Sequence, residues 1–268
     1  MSTTSTLERP TAVAEASGPA AVEITYFTDP LCCWSWAMEP QWRLLRYAFT
    51  GRLSWRMRMG GMIAGWGSYD DPLNSVHRPG QMGPLWMAAE QESGMPMDTG
   101  LWVEDPPDSS WPACEAFKAA ETQSPHLGSR YLRRLWEAAM TGRQNIARRS
   151  VLLDIASGEA AGGLDVARFE ADLDGGAARK AFHEDLKEAR YLEIGRFPTL
   201  ILRGPGGGRR VLTGWRPYDA LEAAILALAP ELGPGNHPAD PERYAACWPS
   251  ITRREMKEAF PKETAPAG

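Results

Sequence analysis

The stretch TDPLCCWSWAMEP, residues 28–40, marks a junction between a strand and a helix. Residues 22–27 (VEITYF) alternate and include β-branched side chains, which predicts the strand. Large apolar side chains recur at helical spacing over residues 34–49, and Pro40 inside this run predicts a kink. Backbone N–H groups and the helix dipole favour negative charge at such a junction, which makes Cys32 a candidate thiolate nucleophile. The alternative is a small buried apolar residue.

The rest of the chain completes a sheet around this junction. Residues 53–59 (LSWRMRM) alternate again, so strand, helix and strand predict a parallel pair with a right-handed crossover. Residues 111–191 are helical in character, which is typical of an insertion into a sheet domain. Sheet character returns at residues 197–202 (FPTLIL) and 209–213 (RRVLT), which predict an antiparallel hairpin, and residues 218–229 predict a closing helix. The predicted fold class is α/β.

This order divides the chain into five parts. They are a disordered tail at residues 1–20, the first part of the core (βαβ) at 21–64, a mostly helical insertion at 65–191, the second part of the core (ββα) at 192–230, and a Pro-rich C-terminal tail at 231–268. Residues 1–20 lack the basic start and apolar run of a secretory signal, which indicates a cytoplasmic protein.

Composition narrows the function classes. The formal net charge is −5, and this mild acidic balance argues against nucleic acid as a partner, which would require clustered Lys and Arg. No stretch approaches the roughly 20 apolar residues of a membrane helix, so no membrane contact is expected. The histidines show no spacing suited to a metal, so no metal site is expected either. They are His77, His126, His183 and His237.

A second feature lies far from Cys32 in the sequence. Pro198 stands at the start of the third predicted strand, a position where the ladder tolerates proline. A cis-proline here would turn the chain sharply and expose an unpaired backbone edge. An ordinary trans-proline at the start of a strand is the alternative.

Together these residues resemble the DsbA-like thioredoxin superfamily. The strongest local matches are residues 28–40, 109–120 (SSWPACEAFKAA) and 195–202, in family order within roughly residues 22–229. In that family a C-x-x-C motif opens the first helix, a cis-proline faces it, and a helical domain is inserted into a thioredoxin core. The chain is most similar to the subgroup that contains FrnE-like proteins and the adapters that deliver a regulator to the Clp protease.

The resemblance implies a site in which Cys32 attacks and Pro198 presents backbone to the bound peptide or thiol. Ser35 stands where dithiol relatives have the resolving cysteine, and a serine cannot break a mixed disulfide. The implied function is a thiol–disulfide oxidoreductase of monothiol type (C-x-x-S), with protein thiols, protein disulfides or small thiols as partners. The implied substrate-binding residues are Trp34, Phe197 and Thr199.

The other cysteines are weak candidates for the missing thiol. Cys33 adjoins Cys32, and a disulfide between neighbours is strained. Cys114 opens a predicted helix of the insertion, where the surrounding alanines favour burial, and Cys247 lies in the predicted tail. The simplest resolving partner is therefore glutathione or another small thiol, with no tightly bound cofactor.

Two alternative functions stay open. Kappa-class glutathione transferases and 2-hydroxychromene-2-carboxylate isomerases share this architecture, which implies a glutathione-dependent transferase or isomerase. The backbone beside Pro198 would then hold the thiol, and Arg216 is a weak candidate partner for its carboxylate. The remaining alternative is a non-catalytic adapter that binds a protein in the former substrate groove.

Overall fold

A four-stranded mixed sheet forms the centre of the molecule. The computed structural model describes Val13 and residues 20–261, so most of the predicted disordered tail lies outside the described residues. The strand order is β2-β1-β3-β4, and β1 runs parallel to β2 and antiparallel to β3. These assignments confirm the predicted α/β class. The strands are β1 (Val22–Thr28), β2 (Leu53–Met59), β3 (Thr199–Arg203) and β4 (Arg209–Thr213).

The parallel crossover contains two helices where the sequence predicts one kinked helix. They are α1 (Cys33–Ala37) and α2 (Glu39–Ala48), separated at Met38. Pro40 lies in the first turn of α2, where the missing N–H costs no intrahelical hydrogen bond. Helix α2 packs on the sheet through the buried Trp42, whose ring lies 5.1 Å from that of Tyr26 on β1. Trp36 of α1 is buried against the insertion, where its indole N–H donates to the Pro96 carbonyl (3.0 Å).

The insertion between β2 and β3 consists of seven α-helices among the described residues. The last of them, α9, lies beside β2, because the Met59 N–H donates to Asp185 (3.0 Å) and Arg58 pairs with Glu188 (2.7 Å). The helices are α3 (Met82–Ser93), α4 (Leu101–Glu104), α5 (Trp111–Glu121), α6 (Pro125–Met140), α7 (Arg149–Glu159), α8 (Val166–Asp174) and α9 (Ala177–Tyr191).

The segment after residue 230 differs from the predicted Pro-rich tail. After α10 (Tyr218–Leu226), which closes the core, the chain forms α11 (Pro241–Ala246) and α12 (Arg253–Ala259). A proline marks the start of α11, where the Asp240 side chain caps two backbone N–H groups. The sequence analysis did not predict these two short helices because the segment is rich in proline.

A buried cluster of four charged side chains holds α12 in place. Arg133 of α6 donates to both carboxylate oxygens of Glu255 (2.9 and 3.1 Å), and Arg43 of α2 lies 3.1 Å from the same carboxylate. Both arginines also pair with Glu39 (3.2 and 3.3 Å). The four side chains are at most 5% exposed, and their charges balance. The cluster ties α12 to α2, the helix that follows the Cys32 junction.

Candidate functional site

Cys32 lies at the predicted junction, as the N-cap residue of α1. Its backbone N–H donates to the Asp29 carbonyl (3.0 Å), and its own carbonyl accepts from the N–H groups of Ser35 and Trp36. The side chain is only 3% exposed. The sequence therefore predicts the backbone position of this thiol correctly, and the packing around it decides its chemistry.

Burial raises the pKa of the Cys32 thiol to about 11. Hydrogen bonds from Ser35 act in the opposite direction, while the charge of Asp29 adds to the increase. The expectation from the sequence is a lowered pKa, and the structure reverses it. Helix α1 has only five residues, so its dipole is too small to offset the loss of solvent.

Asp29 connects the Cys32 turn to the insertion. Its buried carboxylate accepts from the N–H groups of Leu31 (2.9 Å) and Met62 (2.7 Å) and from the hydroxyl of Ser110 (2.8 Å). Burial raises the pKa of this carboxyl group. The contact with Leu31 is a turn cap, whereas the contacts with Met62 and Ser110 are not evident from the sequence around Asp29. Ser110 belongs to the second matched motif, which was the available signal.

Each of the other cysteines is free. Cys114 is fully buried, and its thiol donates to Asp29 (3.5 Å), which confirms the predicted burial. Cys33 is 2% exposed and packs in the main core. Cys247 lies just after α11, and its thiol donates to the Arg243 carbonyl (3.3 Å). None of these contacts points to a resolving thiol for Cys32.

The segment before β3 forms the wall opposite Cys32. The Phe197–Pro198 peptide bond is cis, and the Pro198 carbonyl accepts from the Gly214 N–H (2.7 Å). A side chain at Gly60 would overlap the Phe197 ring, so this glycine leaves room for the ring beside the end of β2. The Thr199 hydroxyl donates to the Arg196 carbonyl (2.8 Å) and is buried.

A groove of about 880 Å³ lies between Cys32 and this wall. It brings together four of the predicted site residues, namely Cys32, Cys33, Trp34 and Phe197. Ser35, Pro198 and Thr199 are buried outside its lining. Arg216 is exposed and also outside the lining, where its guanidinium donates to the Trp215 carbonyl (3.1 Å).

The outer side of the groove comes from residues that the sequence analysis did not select. They belong to residues 68–74, which follow β2 in the chain, and to α3. No motif marks them, because they are distant from Cys32 in the sequence and line the same groove only in the folded chain. Among residues 20–261 and Val13, no group of three His, Cys, Asp or Glu side chains is arranged to hold a metal ion. No helix in this described part is long and apolar enough to span a bilayer.

A cysteine at the start of the first helix, a cis-proline just before β3 and a helical insertion define a thioredoxin-like protein of the DsbA type. A family model described as thioredoxin matches residues 26–221. The chain belongs to the thioredoxin superfamily, in its DsbA-like branch.

The curated relatives are adapters. The ClpXP adapter protein SpxH of Halalkalibacterium halodurans is 31% identical over 247 residues, 90% of this chain and 79% of the relative. SpxH of Bacillus subtilis is 31% identical over 212 residues, 77% and 67% of the two chains. SpxH of Shouchella clausii is 32% identical over 180 residues, and the match spans 57% of that relative.

The solved structures include disulfide-exchange proteins. A Nitrosomonas europaea protein described as a protein disulfide isomerase has a TM-score of 0.65 at 19% identity, covering 79% of this chain and 99% of its own, and it supports the fold alone. The cytosolic disulfide reductase DsbM of Pseudomonas aeruginosa has a TM-score of 0.56 at 27% identity, covering 71% and 88%. DsbM solved with glutathione gives 0.53 at 26% identity, covering 71% and 89%.

Proposed function

We propose that the protein is a protein-binding adapter that holds a segment of its partner in the groove beside Cys32. The observation that carries this proposal is the state of Cys32 within an open groove of about 880 Å³. Its thiol is 3% exposed with a pKa raised to about 11, so little thiolate exists at neutral pH. The groove can therefore bind a partner while its cysteine stays unreactive.

The surroundings of Cys32 support the same proposal. A dithiol enzyme releases its substrate by attack of a second thiol on the mixed disulfide. Ser35 occupies the position of that second thiol, and the Cys114 thiol donates a hydrogen bond to Asp29. The similarity to an SpxH adapter over 90% of the chain supports a role in delivering the bound partner to ClpXP. A cytoplasmic location is proposed with it, in line with a structural relative described as cytosolic.

The groove walls have the character needed to hold a peptide. Trp34, Phe197 and Trp215 are half-buried and present apolar surface to the groove. Burying one large apolar side chain of a partner against them is worth about 1.5–3 kcal/mol. A cavity of this size accommodates several side chains of an extended segment.

A second candidate is monothiol exchange with glutathione. The likeness to DsbM solved with glutathione favours it, together with the position of Cys32 in the groove lining. In this reaction the Cys32 thiolate attacks one sulfur of glutathione disulfide, a mixed disulfide forms, and a glutathione thiolate leaves. The reaction requires the buried Cys32 to become exposed and to lose its proton.

Binding of cysteine-free peptides separates the two functions. Labelled peptides of about ten residues, selected by phage display on the full chain, are expected to bind Cys32→Ser within about twofold of the unsubstituted protein, since Cys32 offers little surface. Phe197→Ala is expected to weaken binding about tenfold or more. Tyr191→Ala, which removes an 86% exposed aromatic ring outside the groove, is the matched control.

Two results would contradict the adapter proposal. One is equal affinity for the Phe197→Ala and Tyr191→Ala variants, which would place the peptide outside the groove. The other is loss of binding in Cys32→Ser. Glutathione disulfide offers the opposite test. Rapid and stoichiometric formation of a mixed disulfide between glutathione and Cys32 in the native protein, measured by mass spectrometry, would instead favour the exchange reaction.

A further inference from the structure

We propose that the segment held in the groove carries lysine or arginine residues alternating with large apolar residues. This inference rests on the proposed function and names the chemistry of the partner. It follows from the composition of the groove lining, which combines apolar side chains with three carboxylates from residues 68–74 and α3 and with a single arginine.

The outer side is a defined structure, which we call the groove flap, residues 65–78. The N–H groups of Ser68 and Tyr69 donate to the Gly65 carbonyl (both 3.1 Å), and Asp71 pairs with Val76 through two backbone hydrogen bonds (2.9 and 3.0 Å). The flap is anchored to the insertion, since the Trp66 indole N–H donates to the Pro107 carbonyl (2.9 Å) and Val76 is fully buried. The backbone of the flap is therefore held in place beside the groove.

The charge on this side is negative. Asp70 and Asp71 of the flap and Glu92 of α3 line the groove, where Asp70 and Glu92 are exposed. The Asp71 carboxylate accepts only from the amide groups of Asn74 (3.3 and 2.6 Å), which carry no charge.

These carboxylates are weakly compensated. Asp70 lies 2.5 Å from the His77 ring, and both side chains are more than half exposed. Within the described residues, no lysine or arginine forms an ion pair with Asp70, Asp71 or Glu92. Arg196 is the cation of the opposite lip, so the groove lining carries an excess of negative charge.

The groove lining also includes apolar surface. Trp34, Phe197 and Trp215 form it, and Leu73 at the flap is 70% exposed beside Asp71. Successive side chains of an extended peptide point to opposite sides. A peptide along the groove would therefore place its apolar side chains against this apolar surface and the intervening basic side chains near the carboxylates of the groove lining.

Paired synthetic peptides test this inference by fluorescence anisotropy on the full chain. Both peptides carry the same large apolar residues at alternate positions, and the intervening positions are all lysine or all glutamate. The lysine peptide is expected to bind, and the glutamate peptide to bind at least about tenfold more weakly at low salt. This difference should largely disappear at about 1 M NaCl, where the screening length is about 3 Å.

A charge-matched pair of variants locates the effect. The triple variant Asp70→Asn, Asp71→Asn, Glu92→Gln is expected to weaken binding of the lysine peptide about tenfold. The control, Asp154→Asn, Asp219→Asn, Glu231→Gln, removes the same charge from exposed positions outside the groove and should leave the affinity nearly unchanged.

The outcomes separate this inference from the proposed function. Equal binding of both peptides, with both weakened by Phe197→Ala, would overturn the acidic preference and leave the adapter function standing. Equal weakening by both triple variants would also overturn it, because the effect would then come from net charge alone. Failure of both peptides to bind the groove would count against the adapter function itself.

Discussion

Replacement of Glu255 by glutamine is expected to lower the free energy of unfolding by about 3–5 kcal/mol. The substitution keeps the shape of the side chain but removes one of the two buried carboxylates that face Arg43 and Arg133. A further carboxylate, that of Glu137, pairs with Arg133 (2.7 Å) but is partly exposed. Both arginines are at most 4% exposed, so solvent cannot replace the lost charge. Arg43 and Arg133 must then share the buried carboxylate of Glu39 at the junction of α2, α6 and α12, with the partly exposed Glu137 as the second partner of Arg133.

Thermal unfolding followed by circular dichroism measures this effect. For a chain of this size, the expected loss corresponds to a fall in Tm of about 10 °C. Glu258→Gln is the control on the same helix, because its i,i+4 pair with Arg254 is partly exposed and is worth about 0.5 kcal/mol. Equal Tm values for the two variants would show that the buried cluster does not hold α12 in place.

The substitution Ser35→Cys is expected to create a disulfide with Cys32 where the unsubstituted protein forms none. Ser35 follows Cys32 by three positions at the start of α1, and its N–H donates to the Cys32 carbonyl (3.1 Å). A second thiol at this position completes the C-x-x-C spacing, which closes without disturbing the helix start. The missing thiol is therefore the local reason why this site cannot act as a dithiol.

The number of free thiols after oxidation tests this prediction. Refolding from urea in a buffer of reduced glutathione and glutathione disulfide, followed by alkylation under denaturing conditions, should remove two alkylatable thiols from Ser35→Cys. Ser35→Ala, the matched control, should keep all of its thiols reactive. An unchanged thiol count in Ser35→Cys would mean that positions 32 and 35 do not face each other, and the family motif would then be misaligned on this chain.

Local sequence patterns were sufficient for the sheet and for the position of Cys32. Strand β1 combines β-branched residues with alternation, β2 alternates apolar and polar side chains, and both end at turn residues. These signals do not depend on distant contacts. The thiol pKa could not be predicted in the same way. The direction of the pKa shift depends on burial, which comes from elements far apart in the sequence. The helix-start argument considers only local residues.

Long-range contacts also explain the other differences. Glu39, Arg43, Arg133 and Glu255 look like ordinary surface charges in the sequence, and only the packing of three helices brings them into one buried cluster. The flap residues Asp70 and Asp71 carry no motif and reach the groove through the path of the chain after β2. In contrast, Ser35 in place of a cysteine was visible at once, because a catalytic motif has fixed spacing.

The pH dependence of Cys32 alkylation in the native protein tests the central claim most directly, with modified peptides located by mass mapping. We expect the rate to rise steadily through about pH 10 without a plateau, because the pKa of the buried thiol is about 11. Near pH 7.5 alkylation should be about 300-fold slower than in urea, where a free cysteine has a pKa of about 8.5. A rate that reaches its plateau below about pH 8 would reveal a native thiolate, contradict the adapter account and favour thiol exchange at this groove.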